Sequence, residues 1–158
     1  MIASVLAVGL GAAQLSRDPD AELVAFSLGS CVAICVWDPT GPIAAMAHVV
    51  LPDAPDHHPA GGKYGNQAVP YLVDLIRRAG GHPWRAKWKL AGGANVLRGT
   101  KLPPIGERNV QAIRAAMRAQ GLTISAEETG GTVGRTLRLR VRDGVIQLRL
   151  AGGREHCL

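Results

Sequence analysis

A cysteine and a histidine fall within one apolar stretch, "FSLGSCVAICVWDPTGPIAAMAHVVLP", residues 26–52. Cys31 follows Leu28-Gly29-Ser30, and His48 lies near the end of the second apolar run. Together they can do nucleophilic chemistry. The imidazole takes the thiol proton, the sulfur attacks a carbonyl carbon, and the imidazolium returns a proton to the leaving group. Gly29 permits a tight backbone turn and close approach of a substrate. The N–H groups of Ser30 and Cys31 are then placed to hold a developing oxyanion. The competing reading is packing, because a cysteine in an apolar strand is usually a small buried hydrophobe. A histidine in the neighbouring run weighs against that, since a buried imidazole needs a compensating partner. The two residues alone leave both readings open.

The elements that must position this pair follow from periodicity. "DPTG", residues 38–41, has Asp, Pro and Gly where a type I turn wants them. A hairpin centred on Pro39 and Thr40 puts Cys31 opposite His48, with Cβ atoms about 4.5–5.5 Å apart on one sheet face. A one-residue slip would turn His48 to the other face. Cys35 shares the face of Cys31 about 13 Å away and is assigned to the core.

The remaining chain predicts a strand at residues 4–10, a second at 22–28, and a long Pro/Gly-rich loop at 52–66 that reads equally as a lid or as a surface excursion. A helix follows, with Asn66 as its cap, Val69, Leu72, Val73 and Ile76 as its apolar stripe, and Gly80 as its stop. Lys63 and Tyr64 suit either placement of the loop over the cleft or anchorage of it. Residues 84–94 alternate like a strand ending in a glycine turn, and "GERNVQAIRAAMRAQG" is a second amphipathic helix. At its start, Glu107, Arg108 and Asn109 read as capping and a local ion pair. "LTISAEETGG" gives a strand and loop. In "GRTLRLRVRDGVIQLRLAGG" leucines alternate with arginines about an Asp143-Gly144 hairpin turn. These elements imply an α+β class: a single-domain sandwich of mostly antiparallel and mixed sheets flanked by two main helices, with a short tail at 154–158.

Composition narrows the function. With 158 residues, one domain spanning 1–158 is expected. No apolar run approaches the roughly 20 residues that span a bilayer. The first segment lacks the basic start of a signal peptide, so a cytoplasmic location without membrane insertion is expected. Three cysteines without a CxxC pattern argue against a disulfide framework, and the adjacent pairs His57-His58 and His156-Cys157 lack zinc-ligand spacing. No metal is expected. Net charge is +6. That balance fits nucleic acid or an acidic protein partner, but the arginine face of the last hairpin lacks the interleaved aromatics of a nucleic-acid surface.

Six motifs occur in the order "LGSCVAICVWDP", "AAMAHVVLP", "GGKYGNQAV", "LAGGANV", "IGERNV" and "AEETGGTVGR". In this the chain resembles the CheD family of chemoreceptor glutamine deamidases, over nearly its whole length. The resemblance implies hydrolysis of glutamine side-chain amides in the cytoplasmic helices of methyl-accepting chemotaxis proteins, with Cys31 as nucleophile, His48 as base and acid, and no cofactor. It implies a sandwich related to the catalytic domain of cytotoxic necrotizing toxins, and in some members a CheC-type phosphatase as partner. A non-catalytic regulator binding such a phosphatase or a receptor is the alternative. One departure stands out. Family members often carry a threonine six residues before the cysteine, where this chain has Ala25. Ser27 offers a nearby hydroxyl as a third site residue, but a flat strand would hold it about 13 Å from Cys31, so it needs a bend at Leu28-Gly29. Either Ser27 substitutes, or a third side chain is dispensable, or activity is weakened.

Overall fold

A computed structural model describes residues 4–96 and 103–158. In those residues ten strands and two helices follow one another as β1 (Ser4–Ala7), β2 (Ala13–Ser16), β3 (Ala21–Leu28), β4 (Val32–Asp38), β5 (Ile43–Val49), α1 (Gly65–Arg78), β6 (Lys87–Gly92), α2 (Ile105–Ala119), β7 (Ile124–Thr129), β8 (Arg135–Arg140), β9 (Ile146–Leu150) and β10 (Glu155–Cys157). They form two five-stranded mixed sheets, in the orders β1-β3-β8-β9-β10 and β2-β5-β4-β6-β7. Both helices pack on one face of the second sheet, and the first sheet covers its other face. The class is α+β, as the alternation and helix patterns predict.

Two hydrophobic layers result. The helix–sheet layer is built of Val32, Ile34, Val36, Val49, Leu72, Ile76, Trp88, Leu90 and Ile113, all buried. The inter-sheet layer mixes Leu23, Leu28, Leu137, Leu139 and Leu148 with the small residues Ala25, Ala33, Cys35, Ala44 and Ala91. Alternation along β4 and β5 sorts these residues, odd positions of β4 facing one layer and even positions the other. Cys35 is 1% exposed, so its assignment to the core holds.

The β4–β5 hairpin departs from the expected register. Asp38 pairs with Ile43 and Ala33 with His48, so the connection is the four residues Pro39–Pro42 instead of a two-residue turn centre. Asp38 explains the longer loop: its Oδ1 accepts from the Thr40 N–H at 3.0 Å and the Thr40 hydroxyl at 2.6 Å, while Oδ2 accepts from the His82 N–H at 2.7 Å. Burial raises the Asp38 pKa, but these hydrogen bonds to the anion prevail and hold it below the ordinary carboxylate range. The register moves by two residues, which preserves faces. Cys31 and His48 therefore remain on the same side of the sheet but are diagonal, not opposed.

Other differences have equally local causes. Asn66 does not cap α1: Tyr64 occupies the cap position without a side-chain bond, and Asn66 Oδ1 accepts from the Ala54 N–H at 3.0 Å. The last hairpin does not turn on Asp143-Gly144 alone, because β8 stops at Arg140 and the buried Val141 leaves the ladder. The Val141 N–H donates to the Ala21 carbonyl at 3.1 Å, and its carbonyl accepts from Trp37 Nε1 at 2.9 Å. Two strands escape the periodicity altogether, β2 and β10, the latter made from the expected tail.

The arginine face is locally neutralised. Arg138 pairs with Glu22 at 3.5 Å, Arg140 with Asp143 at 2.6 Å, Arg149 with Glu155 at 3.0 Å, and Arg142 with Asp20. Exposed pairs of this kind contribute little stability, about 0–1 kcal/mol each, but they leave few free cations on that face.

Candidate active site

His48 is 3% exposed on β5 and faces the inter-sheet layer. Its backbone is fixed by the β1–β2 connection: the Gly11 N–H donates to the His48 carbonyl at 2.9 Å, and the His48 N–H donates to Ala12 at 2.9 Å. The same connection supplies the Val8 carbonyl, 2.9 Å from His48 Nδ1. A carbonyl only accepts, so this contact places the proton on Nδ1 and leaves Nε2 with its lone pair. Nε2 is buried and has no partner among the described residues.

The long loop ends by bracing this connection. Val50 and Leu51 donate to the Lys63 carbonyl at 2.8 and 3.2 Å. A Cβ on Gly62 would meet the Ala12 carbonyl oxygen at 2.6 Å, so the two segments approach as only glycine permits. Tyr64 is buried beneath His58, ring centroids 4.8 Å apart and edge-on, and Lys63 Nζ lies 5.4 Å from the Tyr64 ring centre. Lys63 and Tyr64 thus anchor the loop.

Cys31 stands just before β4, partly buried against the inter-sheet layer. Its carbonyl accepts from the Gly93 N–H at 2.8 Å, and the Gly29 carbonyl accepts from the Ala94 N–H at 2.9 Å. The glycines make this possible: a Cβ on Gly92, where φ is +114°, would lie 2.3 Å from the Cys31 carbonyl oxygen. Burial pushes the Cys31 thiol above its ordinary pKa. The sulfur makes no hydrogen bond to His48 Nε2. Such bonds are often long before a substrate tightens the site.

The preceding segment turns at Ser27, at φ 51°, just before the Leu28-Gly29 bend that the sequence suggested. A Cβ on Gly29 would meet only Val96 at 3.6 Å, an ordinary contact. The chain bends at Ser27 because the β3–β8 pairing shifts between Ala25 and Leu28. Ser27 is exposed, its N–H 3.3 Å from Thr136 Oγ1. With Gly29, Thr136 and Arg149 it lines an open cavity of about 430 Å³. The bend brings it to this cavity and not to Nδ1 of His48, which Val8 occupies. Ala25 is fully buried in the inter-sheet layer.

Two further polar residues lie here: Arg135, and Asn109, which was expected to help cap α2, whereas Pro104 takes the cap position without a side-chain bond. Arg135, 6% exposed, donates to the carbonyls of Gly92 at 3.1 Å and Gly130 at 2.8 Å, with Glu128 at 3.3 Å. Asn109, fully buried on α2, donates from Nδ2 to the carbonyls of Ser30 at 3.0 Å and Val50 at 3.1 Å. The signal for Asn109 was its place inside an apolar helix face, one residue before the buried Val110. Among the described residues no cluster of three or more His, Cys, Asp or Glu has the arrangement to hold a metal ion.

The family model CheD, described as CheD chemotactic sensory transduction, matches residues 50–150. The chain is 36% identical over 148 residues to the chemoreceptor glutamine deamidase CheD of Thermotoga maritima, covering 94% of this chain and 93% of that one. It is 40% identical over 156 residues to the CheD protein of Symbiobacterium thermophilum, covering 95% and 94%. For a CheD protein of Methanococcus maripaludis the identity is 35% over 149 residues, covering 92% and 94%. Among solved structures, the hypothetical protein YfiH of Bacillus licheniformis overlaps with a TM-score of 0.46 at 18% identity, covering 73% of this chain and 49% of that one. By the family model and by relatives matched over nearly its full length, this chain belongs to the CheD family.

Proposed function

We propose that the chain is a chemoreceptor glutamine deamidase, converting selected glutamine side chains of methyl-accepting chemotaxis proteins to glutamate and ammonia. One observation carries the chemistry: His48 offers a buried Nε2 without a partner among the described residues, on the sheet face against which Cys31 also packs. His48 Nε2 takes the Cys31 proton as the sulfur forms a bond to the amide carbon. The Ser30 and Cys31 N–H groups receive the oxyanion. Collapse breaks the C–N bond, with the His48 proton leaving on ammonia, and a thioester remains. Water, deprotonated by the same nitrogen, adds to the thioester, and the C–S bond breaks to return the thiol and a glutamate. Acid–base chemistry of this kind needs no metal or organic cofactor.

The Val8 carbonyl takes the orienting place that a third side chain would fill, which supports the view that the missing threonine is dispensable here. Ser27 lines, with Gly29, a cavity whose lining includes neither Cys31 nor His48, so its hydroxyl takes no part in the proton transfers proposed here. The reading carries with it a cytoplasmic site of action, a receptor helix as substrate and a fold related to the deamidating toxins. No helix among the described residues is long and apolar enough to cross a membrane.

A second reading has one observation in its favour. The Cys31 thiol is pushed up by burial and is not bonded to His48, as in a site kept for binding a receptor or a CheC-type phosphatase. Mass spectrometry of receptor cytoplasmic fragments decides between them. Incubation with wild type is expected to convert glutamine to glutamate, and Cys31→Ala and His48→Ala to leave it intact. Absence of conversion on every native receptor fragment would favour the binding role.

A further inference from the structure

The three carbonyls that surround Cys31 are all held, and by different elements. The Gly29 carbonyl accepts from Ala94 at 2.9 Å, the Ser30 carbonyl from Asn109 Nδ2 at 3.0 Å, and the Cys31 carbonyl from Gly93 at 2.8 Å. By contrast, the N–H groups of Ser30 and Cys31 have no acceptor among the described residues. In a planar trans peptide the carbonyl and the N–H of one unit point in opposite directions. Whatever holds the Ser30 carbonyl therefore aims the Cys31 N–H.

That holder is Asn109. Its second Nδ2 proton goes to the Val50 carbonyl at 3.1 Å, at the end of β5 two residues after His48. One amide thus ties together the segments that carry the nucleophile and the base. The side chain is fully buried, both of its donors are used, and its Oδ1 has no partner among the described residues. The amide is committed to donation, so it cannot rotate without losing both contacts. Donation to the Ser30 carbonyl also polarises the peptide and strengthens its N–H as a donor.

We infer that Asn109 is a positioning residue that points the Cys31 amide N–H, away from α2, at the oxyanion formed when Cys31 attacks a carbonyl carbon. The inference rests on the Cys31–His48 reading but not on glutamine as the substrate.

Two reactions of the same sulfur separate this role from a merely structural one. Alkylation by iodoacetamide is a displacement that forms no oxyanion, whereas acylation by p-nitrophenyl acetate passes through one. Both rates are measured in a Cys157→Ser background, which removes the exposed thiol, with Cys31→Ala as the blank. Asn109→Ala is expected to lower the acylation rate about 10- to 100-fold, a little less than outright loss of an oxyanion donor. Its alkylation rate is expected to stay within about 2-fold, because the thiol keeps its surroundings. Asn109→Ser serves where the alanine variant does not fold. An unchanged ratio of the two rates in a folded variant would overturn the inference, as would an equal fall in both. Ammonia release from receptor fragments is read separately. A selective loss of acylation in a protein that releases no ammonia would retain Asn109 as the positioning residue and remove the deamidase reading alone.

Discussion

The two faces of the central sheet are packed in opposite styles. Towards the helices it presents large branched and aromatic side chains, among them Val32, Ile34, Trp88 and Leu90, with the buried, hydrogen-bonded Asp38 at the end of β4. Towards the other sheet it presents Ala33, Cys35, Ala44, Met46 and Ala91, and along this face lie Cys31 and His48. Large residues interdigitate and hold the sheet rigid, whereas small ones let two sheets approach and leave room for a few polar groups. On the proposed reading, stability and chemistry fall to opposite sides of the same strands. Adjacent residues of β4 and β5 serve different ends because alternation sends them to different layers.

This contrast can be broken by substitution on either side. The largest effect on activity is expected at the chemical end. Cys31→Ala should reduce glutamine conversion by about 10⁴-fold or more. Its melting temperature should barely move, since Cys31 is only partly buried. Ile113→Ala, on the helix side and fully buried, should do the reverse. It is expected to cost about 2–5 kcal/mol in denaturant melts while kcat of the folded protein stays near wild type. If Ile113→Ala lowers kcat as steeply as stability, the two layers are not independent.

A pH series sharpens the comparison. The folded pKa of the Cys31 thiol lies above its unfolded value, as does that of Cys35, each through burial first. The stability these thiols contribute is then fully present below the unfolded thiol pKa of about 8.5 and is lost as pH rises through the folded values. Cys31 alkylation should keep climbing above about pH 8.5 without a plateau there. A plateau below that pH would mean a thiolate stabilised at rest, contrary to its partly apolar surroundings. The smallest effect is expected from Ala25→Thr. With Nδ1 already held by Val8, the restored hydroxyl should change kcat by no more than about 3-fold, and a large gain would show that the carbonyl is an incomplete substitute.

Much of this was legible from residue types and spacing. Cys31 and His48 were placed on one face by alternation alone, and that survived a two-residue error in register because the period of a strand is two. Both helices and the arginine-bearing hairpin carried strong periodic signals. β2 did not, because "AQLS" is too short to alternate and is stabilised by pairing with β5. β10 did not, because "EHC" is a strand only beside β9, with His156 bonded to Glu128 at 2.6 Å. The orienting group of His48 was illegible in principle, since every residue carries a carbonyl and the sequence does not say which one a ring will find. Asn109 was read as a residue that caps a helix start, and its place beside the apolar Val110 was the one sign of burial. Its two carbonyl partners lie 79 and 59 residues away.

The hold of Val8 on His48 has a consequence for inheritance. A side chain that orients a catalytic base can be lost by one nucleotide change, but a main-chain oxygen is encoded by all twenty residues at its position. Missense drift at codon 8 therefore leaves the contact in place for as long as β1 stays paired with β3. The vulnerable lesion is one that changes chain length. An insertion or deletion between Ala7 and Ala13 would move every carbonyl past the ring, so this connection should tolerate substitution far better than it tolerates a change in its number of codons.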